Sequence, residues 1–215
     1  MTAQKAIQRR NLSRERILKA AMDIVNEHGI AALSTRNLGR ELGVTSMAIY
    51  KHFDNKDALL SALLDAFIES ADLLPDHDLP WDEWILYVGQ RMGHALTAQP
   101  DWITLLGHIE MNQGGLNLMV EGLATLTRAG FTLDDALEAF FTLAHISIGA
   151  AFVAQGVQQL TADADSTRHD EEYFGILQNN FGALEPLIAA QQLEKGLHIL
   201  IAGIRPRLTQ NGHYE

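Results

Sequence analysis

The 215-residue sequence contains no cysteine. That excludes a disulfide scaffold, thiolate zinc sites and cysteine nucleophiles, and it suits a reducing compartment. Proline is scarce, with five residues, and no segment shows sustained period-two alternation or a fixed repeat. Gly-x-Ser-x-Gly, the Walker loop, Gly-x-Gly-x-x-Gly and His-Glu-x-x-His are all missing. Residues 1 to 18 carry five basic side chains and no continuous apolar run, so no signal peptide is expected there and the chain is expected in the cytoplasm. What the chain does have is apolar material for a core, 47% hydrophobic against 20% charged.

The formal net charge is -11, and it is unevenly placed. Residues 1 to 56 hold ten Lys/Arg against five Asp/Glu, a balance of +5. The remainder holds six against twenty-two, a balance of -16. A small basic module is joined to a large acidic one, which fits a nucleic-acid-binding head on a body that repels phosphate.

Helical periodicity runs through the whole chain. Ser13 precedes Arg14 to His28, where Ile17, Leu18, Ala21, Ile24 and Val25 fall on one face and Gly29 stops the helix. Ser34 caps a short helix through Leu42, Gly43 ends it, and Thr45 caps a third helix reaching about His52. A longer helix is expected from Asn55 or Lys56 to about Leu74, before Pro75. Six more follow, over Trp81 to Thr97, Pro100 to about Met111, Gly114 to Ala129, Asp134 to about Gln158, Glu171 to Leu187 and Gln192 to Leu208. The expected fold is all-α, with a helix-turn-helix head over residues 1-56 and a helical body over 57-215.

Ala139 to Ala162 carries no charge and exceeds the ~20 residues that a bilayer needs. His145, Ser147, Gln155, Gln158 and Gln159 interrupt it, and Asp163 and Asp165 follow, so a buried or subunit-interface helix is the expected reading. Gly149, Ala150, Ala151 and Ala154, with Gly196, Ala202 and Gly203 on the last helix, permit close helix approach. The helices over 134-158 and 192-208 are therefore the expected homodimer seam.

The string from Leu33 to Lys56 resembles the DNA-binding helix-turn-helix of the TetR family of bacterial transcription repressors. It carries the Leu42-Gly43-Val44 turn, Ile49-Tyr50 and His52-Phe53 at the end of the recognition helix, and Asn55-Lys56 with Leu59-Leu60 opening the fourth helix. Ile17, Ala20, Ala21 and Gly29 match upstream. The likeness is strong over about residues 12 to 68 and recognisable beyond them.

In such a motif one helix enters the major groove while the preceding helix crosses the phosphates. Ser46, Met47, Ala48 and Lys51 are expected on the exposed face, with Ile49 and Phe53 pointing inward. Lys51 suits guanine acceptors, Ser46 several base edges, and Met47 and Ala48 thymine methyls. Tyr50, His52 and Lys56 suit phosphates, Lys56 at a helix N-terminus. Thr35 and Thr45 can donate to phosphate, Arg36 to phosphate or base, and the basic segment Lys5 to Arg14 can add minor-groove electrostatics.

The resemblance implies a body that dimerises through its last long helices and holds a small-molecule effector whose binding releases operator DNA. Candidate pocket residues are Trp84, Tyr87, Gln90, Met92, His94, Trp102, His108, Met111, Asn112, Phe141 and His145. The segments from Ala129 to Leu133 and Ala144 to Gly149 resemble the tetracycline-binding subgroup, which binds drug and magnesium together. The sequence departs from that subgroup at Asp72, where a histidine is expected, and after His145, where no acid occurs until Asp163. No metal and no cofactor are expected.

Two other functional classes fit the sequence less well. A di-iron helical enzyme needs Glu-x-x-His pairs, whereas Glu194 and His198 stand alone and four apart. A constitutive DNA-architectural protein would bind by salt-dependent charge alone, against which the -16 body argues. An activator would use the same contacts as a repressor, and only the operator position separates the two.

Overall fold

A computed structural model describes residues 12–106, 113–163 and 190–211. Every regular element among them is helical: α1 Arg14–His28, a 3-10 turn Ile30–Ala32, α2 Thr35–Leu42, α3 Ser46–Ile49, α4 Lys56–Ser70, α5 Trp81–Ala98, α6 Asp101–Leu106, α7 Gln113–Arg128, α8 Leu133–Asp163 and α9 Ala190–Asn211. The expected helix over Glu171 to Leu187 lies outside the described residues.

The chain divides into two compact units, Met1–Ala71 with Asp101–Asn117, and Asp72–Pro100 with Leu118–Glu215. The first unit therefore takes in α4 and α6, where the sequence suggested a head ending at residue 56. The reason is packing. The rings of Phe67 on α4 and Trp102 on α6 stack with centroids 4.5 Å apart, and Trp102, expected at the effector pocket, is fully buried in that core instead. Ile17, Ala21, Leu38, Ile49 and Leu63 are also fully buried there.

Local chemistry sets most helix starts. Ser13 and Ser34 accept the backbone N–H of Arg16 at 3.2 Å and Asn37 at 3.1 Å, and Asn55 accepts that of Ala58 at 2.8 Å. Two ends differ from expectation. α4 stops at Ser70, a turn before Pro75, because Asp72 takes the left-handed conformation (φ 49°) that asparagine and aspartate tolerate best after glycine. α3 stops at Ile49: the N–H of His52 bonds to the Ile49 carbonyl at 2.9 Å, so the chain winds tighter beyond Tyr50.

In the second unit α5, α8 and α9 pack on one another. Gly89 and Gly93 on α5 make this possible. A Cβ at Gly89 would lie 2.5 Å from Leu197 and 2.8 Å from Leu143, and one at Gly93 2.3 Å from Leu193. Ser147, fully buried on α8, donates to the Leu143 carbonyl at 2.9 Å and the Gly89 carbonyl at 3.2 Å. Of the small residues expected at the seam, Ala151 and Ala154 are buried within the subunit and Gly196 faces Ile146. Gly149 and Gly203 have open space at the Cβ position.

Candidate functional site

The exposed face of the first unit is built around α2, the turn and α3. Gly43 ends α2 in the left-handed region (φ 67°), and the Val44 N–H reaches back to the Gly39 carbonyl at 2.8 Å. Gly39 is the other glycine the turn requires: a Cβ there would stand 2.8 Å from the Val44 carbonyl oxygen. The spacing of apolar residues gave no sign of this, since the close approach is between α2 and the backbone beyond its end.

Around that turn Met47 is 73% exposed and Tyr50 39%. Arg36, Thr45, Lys51 and Lys56 are exposed, Thr35, Ser46, Ala48 and His52 are half-buried, and Ile49 and Phe53 are buried. Among the described residues Arg36, Lys51 and Lys56 form no salt bridge. These cations are unmatched by carboxylates, as a phosphate-facing surface requires. Thr45 takes the capping position of α3 with no side-chain cap bond, so its hydroxyl is not consumed there.

Two side chains are engaged differently from expectation. Ser46 donates its hydroxyl to the Thr35 carbonyl at 3.2 Å, tying the start of α3 to the start of α2. Arg14 donates to the His52 carbonyl at 3.1 Å and lies over the Phe53 ring at 4.3 Å, so it braces the end of the recognition segment. Lys5, Arg9 and Arg10 lie outside the described residues.

Residues 17–63 match the bacterial regulatory proteins of the tetR family. Over 193 residues the chain is 27% identical to the tetracycline repressor protein class A from transposon 1721 of Escherichia coli, covering 89% of each chain. It is 28% identical over 213 residues to the class C repressor of Escherichia coli, covering 93% of this chain and 94% of that one. These likenesses are all to the tetR family of bacterial regulatory proteins. Among solved structures, a variant of TetR from Acinetobacter baumannii AYE in complex with minocycline is 25% identical, with a TM-score of 0.66 over 91% of this chain and 98% of that one. The α2-turn-α3 unit lies wholly within the matched residues 17–63.

The candidate pocket residues are dispersed. His108, Met111 and Asn112 lie outside the described residues. Tyr87, Gln90 and Met92 are half-buried on α5, with the Arg91 guanidinium 5.3 Å from the Tyr87 ring centroid. His94, Phe141 and His145 are exposed, Phe141 at 43%. Trp84, buried, lines a cavity of about 480 Å³ with Glu121, Thr125, Arg128 and the segment from Leu74 to Leu79. No other candidate is in that lining.

Asp72, standing where the tetracycline-binding subgroup has histidine, pairs with Arg91 at 2.9 Å. A guanidinium at that distance opposes a divalent cation, and among the described residues no three His, Asp or Glu side chains group as metal ligands. The residues do not fit a magnesium-bound drug at Asp72.

Proposed function

We propose that the protein is a ligand-responsive repressor that binds a palindromic operator as a homodimer and leaves it when a small molecule binds the body. The observation that carries this reading is the exposed α2-turn-α3 face, with Met47, Tyr50 and Lys51 outward and Lys51, Arg36 and Lys56 uncompensated. Lys51, Met47 and Ala48 face base edges. Tyr50, His52, Thr35, Thr45 and Lys56 hold phosphates, and Arg36 reaches either. Ser46 contributes less to base readout than its position suggests, since its hydroxyl is already donated to Thr35.

The dimer is formed by α8 and α9. Phe152 (63% exposed), Val153 (52%) and Ile199 (72%) are large apolar side chains that a monomer would leave in water. Leu133–Gly156 has the length and mean hydropathy (1.6) of a bilayer span, and only 33% of it is buried within one subunit. A second copy covers that face, with Gly149 and Gly203 allowing close helix approach. Two-fold symmetry then sets the recognition segments about one DNA turn, roughly 34 Å, apart. Similarity to repressors named for tetracycline and to a minocycline complex supports an effector of small-molecule size, and an effector acts only by its differential affinity for the two states.

The test is fluorescence-anisotropy binding to duplexes from the DNA flanking the gene, against a scrambled duplex, at two salt concentrations. A preference of about 10³ or more for one palindromic duplex supports the reading. Lys51→Ala then relaxes preference at one base position, while Tyr50→Ala and Lys56→Ala weaken all duplexes alike. Equal binding of every duplex by the native protein would overturn it.

A further inference from the structure

We propose that the cavity between the Leu74-to-Leu79 segment and α7 is a binding site for a small hydroxylated organic amine, with Glu121 receiving the ammonium group. This inference is independent of the repressor reading and concerns the second unit alone.

The cavity, about 480 Å³, falls within the usual size of small-molecule sites. Its walls carry three carboxylates, Asp76, Asp78 and Glu121, against Arg128 and His77. Two of the three are already matched: Asp78 takes the Arg128 guanidinium at 3.3 Å, and Asp76 pairs with the His77 ring, a bond that holds the Asp76 carboxyl below its ordinary range. Glu121 has no partner among the described residues. The lining is net negative whether or not His77 is protonated, and its unspent charge sits on one side chain. An anion is disfavoured by the net negative lining, and Arg128 is already engaged with Asp78, the Ala124 carbonyl at 3.2 Å and the Thr125 hydroxyl at 3.5 Å.

A second observation comes from Trp84. Its side chain is 2% exposed, and its indole N–H has no acceptor among the described residues. Buried donors are almost always paired, so an unpaired one on a residue that lines a cavity calls for an acceptor from outside the chain. Gly122 leaves room for the ring: a Cβ at residue 122 would lie 2.6 Å from Trp84 Cη2, so the benzo edge of the indole approaches α7 closely only at a glycine. Glu121 and Thr125 are one helical turn apart on the same helix, and both line the cavity. The site thus combines one free anion, a buried donor without an acceptor and the Thr125 hydroxyl, which accepts from Arg128 at 3.5 Å and keeps its own proton to donate. A ligand bearing an ammonium beside hydroxyl groups matches all three.

Glucosamine and N-acetylglucosamine share their ring hydroxyls and differ in that only the first carries a charged amine, which makes them the probe and its control. The full-length ¹⁵N-labelled protein is titrated with each in the absence of DNA, following the Trp84 indole N–H resonance. That resonance is assigned from its loss in Trp84→Phe, or by elimination with Trp81→Phe and Trp102→Phe if the first variant does not fold. Glucosamine is expected to shift it saturably and N-acetylglucosamine to leave it in place. Glu121→Gln, an exposed and nearly isosteric change, is expected to weaken glucosamine binding at least tenfold. No saturable shift, an equal response to both sugars, or unchanged affinity in Glu121→Gln would each overturn the proposal.

Discussion

The backbone N–H of Ile30 donates to the Asp101 carboxylate at 3.1 Å, joining the end of α1 to the first residue of α6 across seventy residues of sequence. Gly29 makes the approach possible: its backbone (φ 78°, ψ 165°) lies in a region open essentially only to glycine, and a Cβ there would stand 2.7 Å from the same carboxylate oxygen. Gly29→Ala is therefore expected to cost about 1–3 kcal/mol in backbone strain. Asp101→Ala leaves Ile30 without its acceptor at about 0.5–1.5 kcal/mol. Urea unfolding checks both. A Gly29→Ala protein as stable as the native one would show that the carboxylate and the strained backbone relax freely.

Gly39 governs the turn that presents α3. With the Val44 oxygen only 2.8 Å from a Cβ at residue 39, and that oxygen belonging to backbone, alanine cannot be accommodated by a rotamer change. Gly39→Ala is expected to lower operator affinity more than tenfold and to leave the far-ultraviolet helical signal of the body in place. Anisotropy and circular dichroism on one sample separate these effects. Native affinity in the variant would mean the turn is not what fixes α3.

Most of the head was legible because its determinants are local. Ser13, Ser34 and Asn55 act on N–H groups three residues away, and Gly43 needs only its own φ, so a linear reading finds them. The end of α4 was not legible, because an aspartate took the left-handed position that a glycine usually marks. Nor were Asp101 with Ile30, or Gly39 with Val44, whose meaning lies in who approaches them. The cavity beside Trp84 was equally hidden: its walls come from a loop and a helix over forty residues apart, and no periodicity links Asp76 to Glu121. Residue type marks the candidate pocket residues, and type alone does not tell which side of α5 or α8 they occupy.

Asp82 ties the start of α5 to α9 through Arg205 at 2.7 Å, and Arg205 also covers the Trp81 ring at 5.0 Å. The hydrogen bond from Arg205 holds the Asp82 carboxyl below its ordinary value. Because the folded value is the lower one, the pair stabilises above the usual aspartate range and the contribution is lost as pH falls through the depressed value. Both partners are partly in solvent, which keeps the effect below about 1 kcal/mol. Asp82→Asn should therefore be slightly less stable than the native protein at neutral pH and indistinguishable from it in strong acid. Thermal unfolding across pH checks this; a gap that widened on acidification would assign the stabilisation to another group.

If the proposed dimer forms through α8 and α9, their exposed apolar side chains govern both assembly and DNA binding. Ile199 is 72% exposed and Phe152 63% in the single chain, and transfer of such side chains out of water is worth about 1.5–3 kcal/mol each. In a two-fold dimer each substitution acts twice. Ile199→Glu and Phe152→Glu should therefore convert the protein to monomer at micromolar concentration in sedimentation equilibrium, while the helical signal of each chain persists. A monomer holds one half-site, so operator affinity should fall with the dimer, and raising the protein concentration should restore it. If both variants remained dimeric with native operator affinity, the seam would lie on a different face and α8 would need another cover for its exposed phenylalanine.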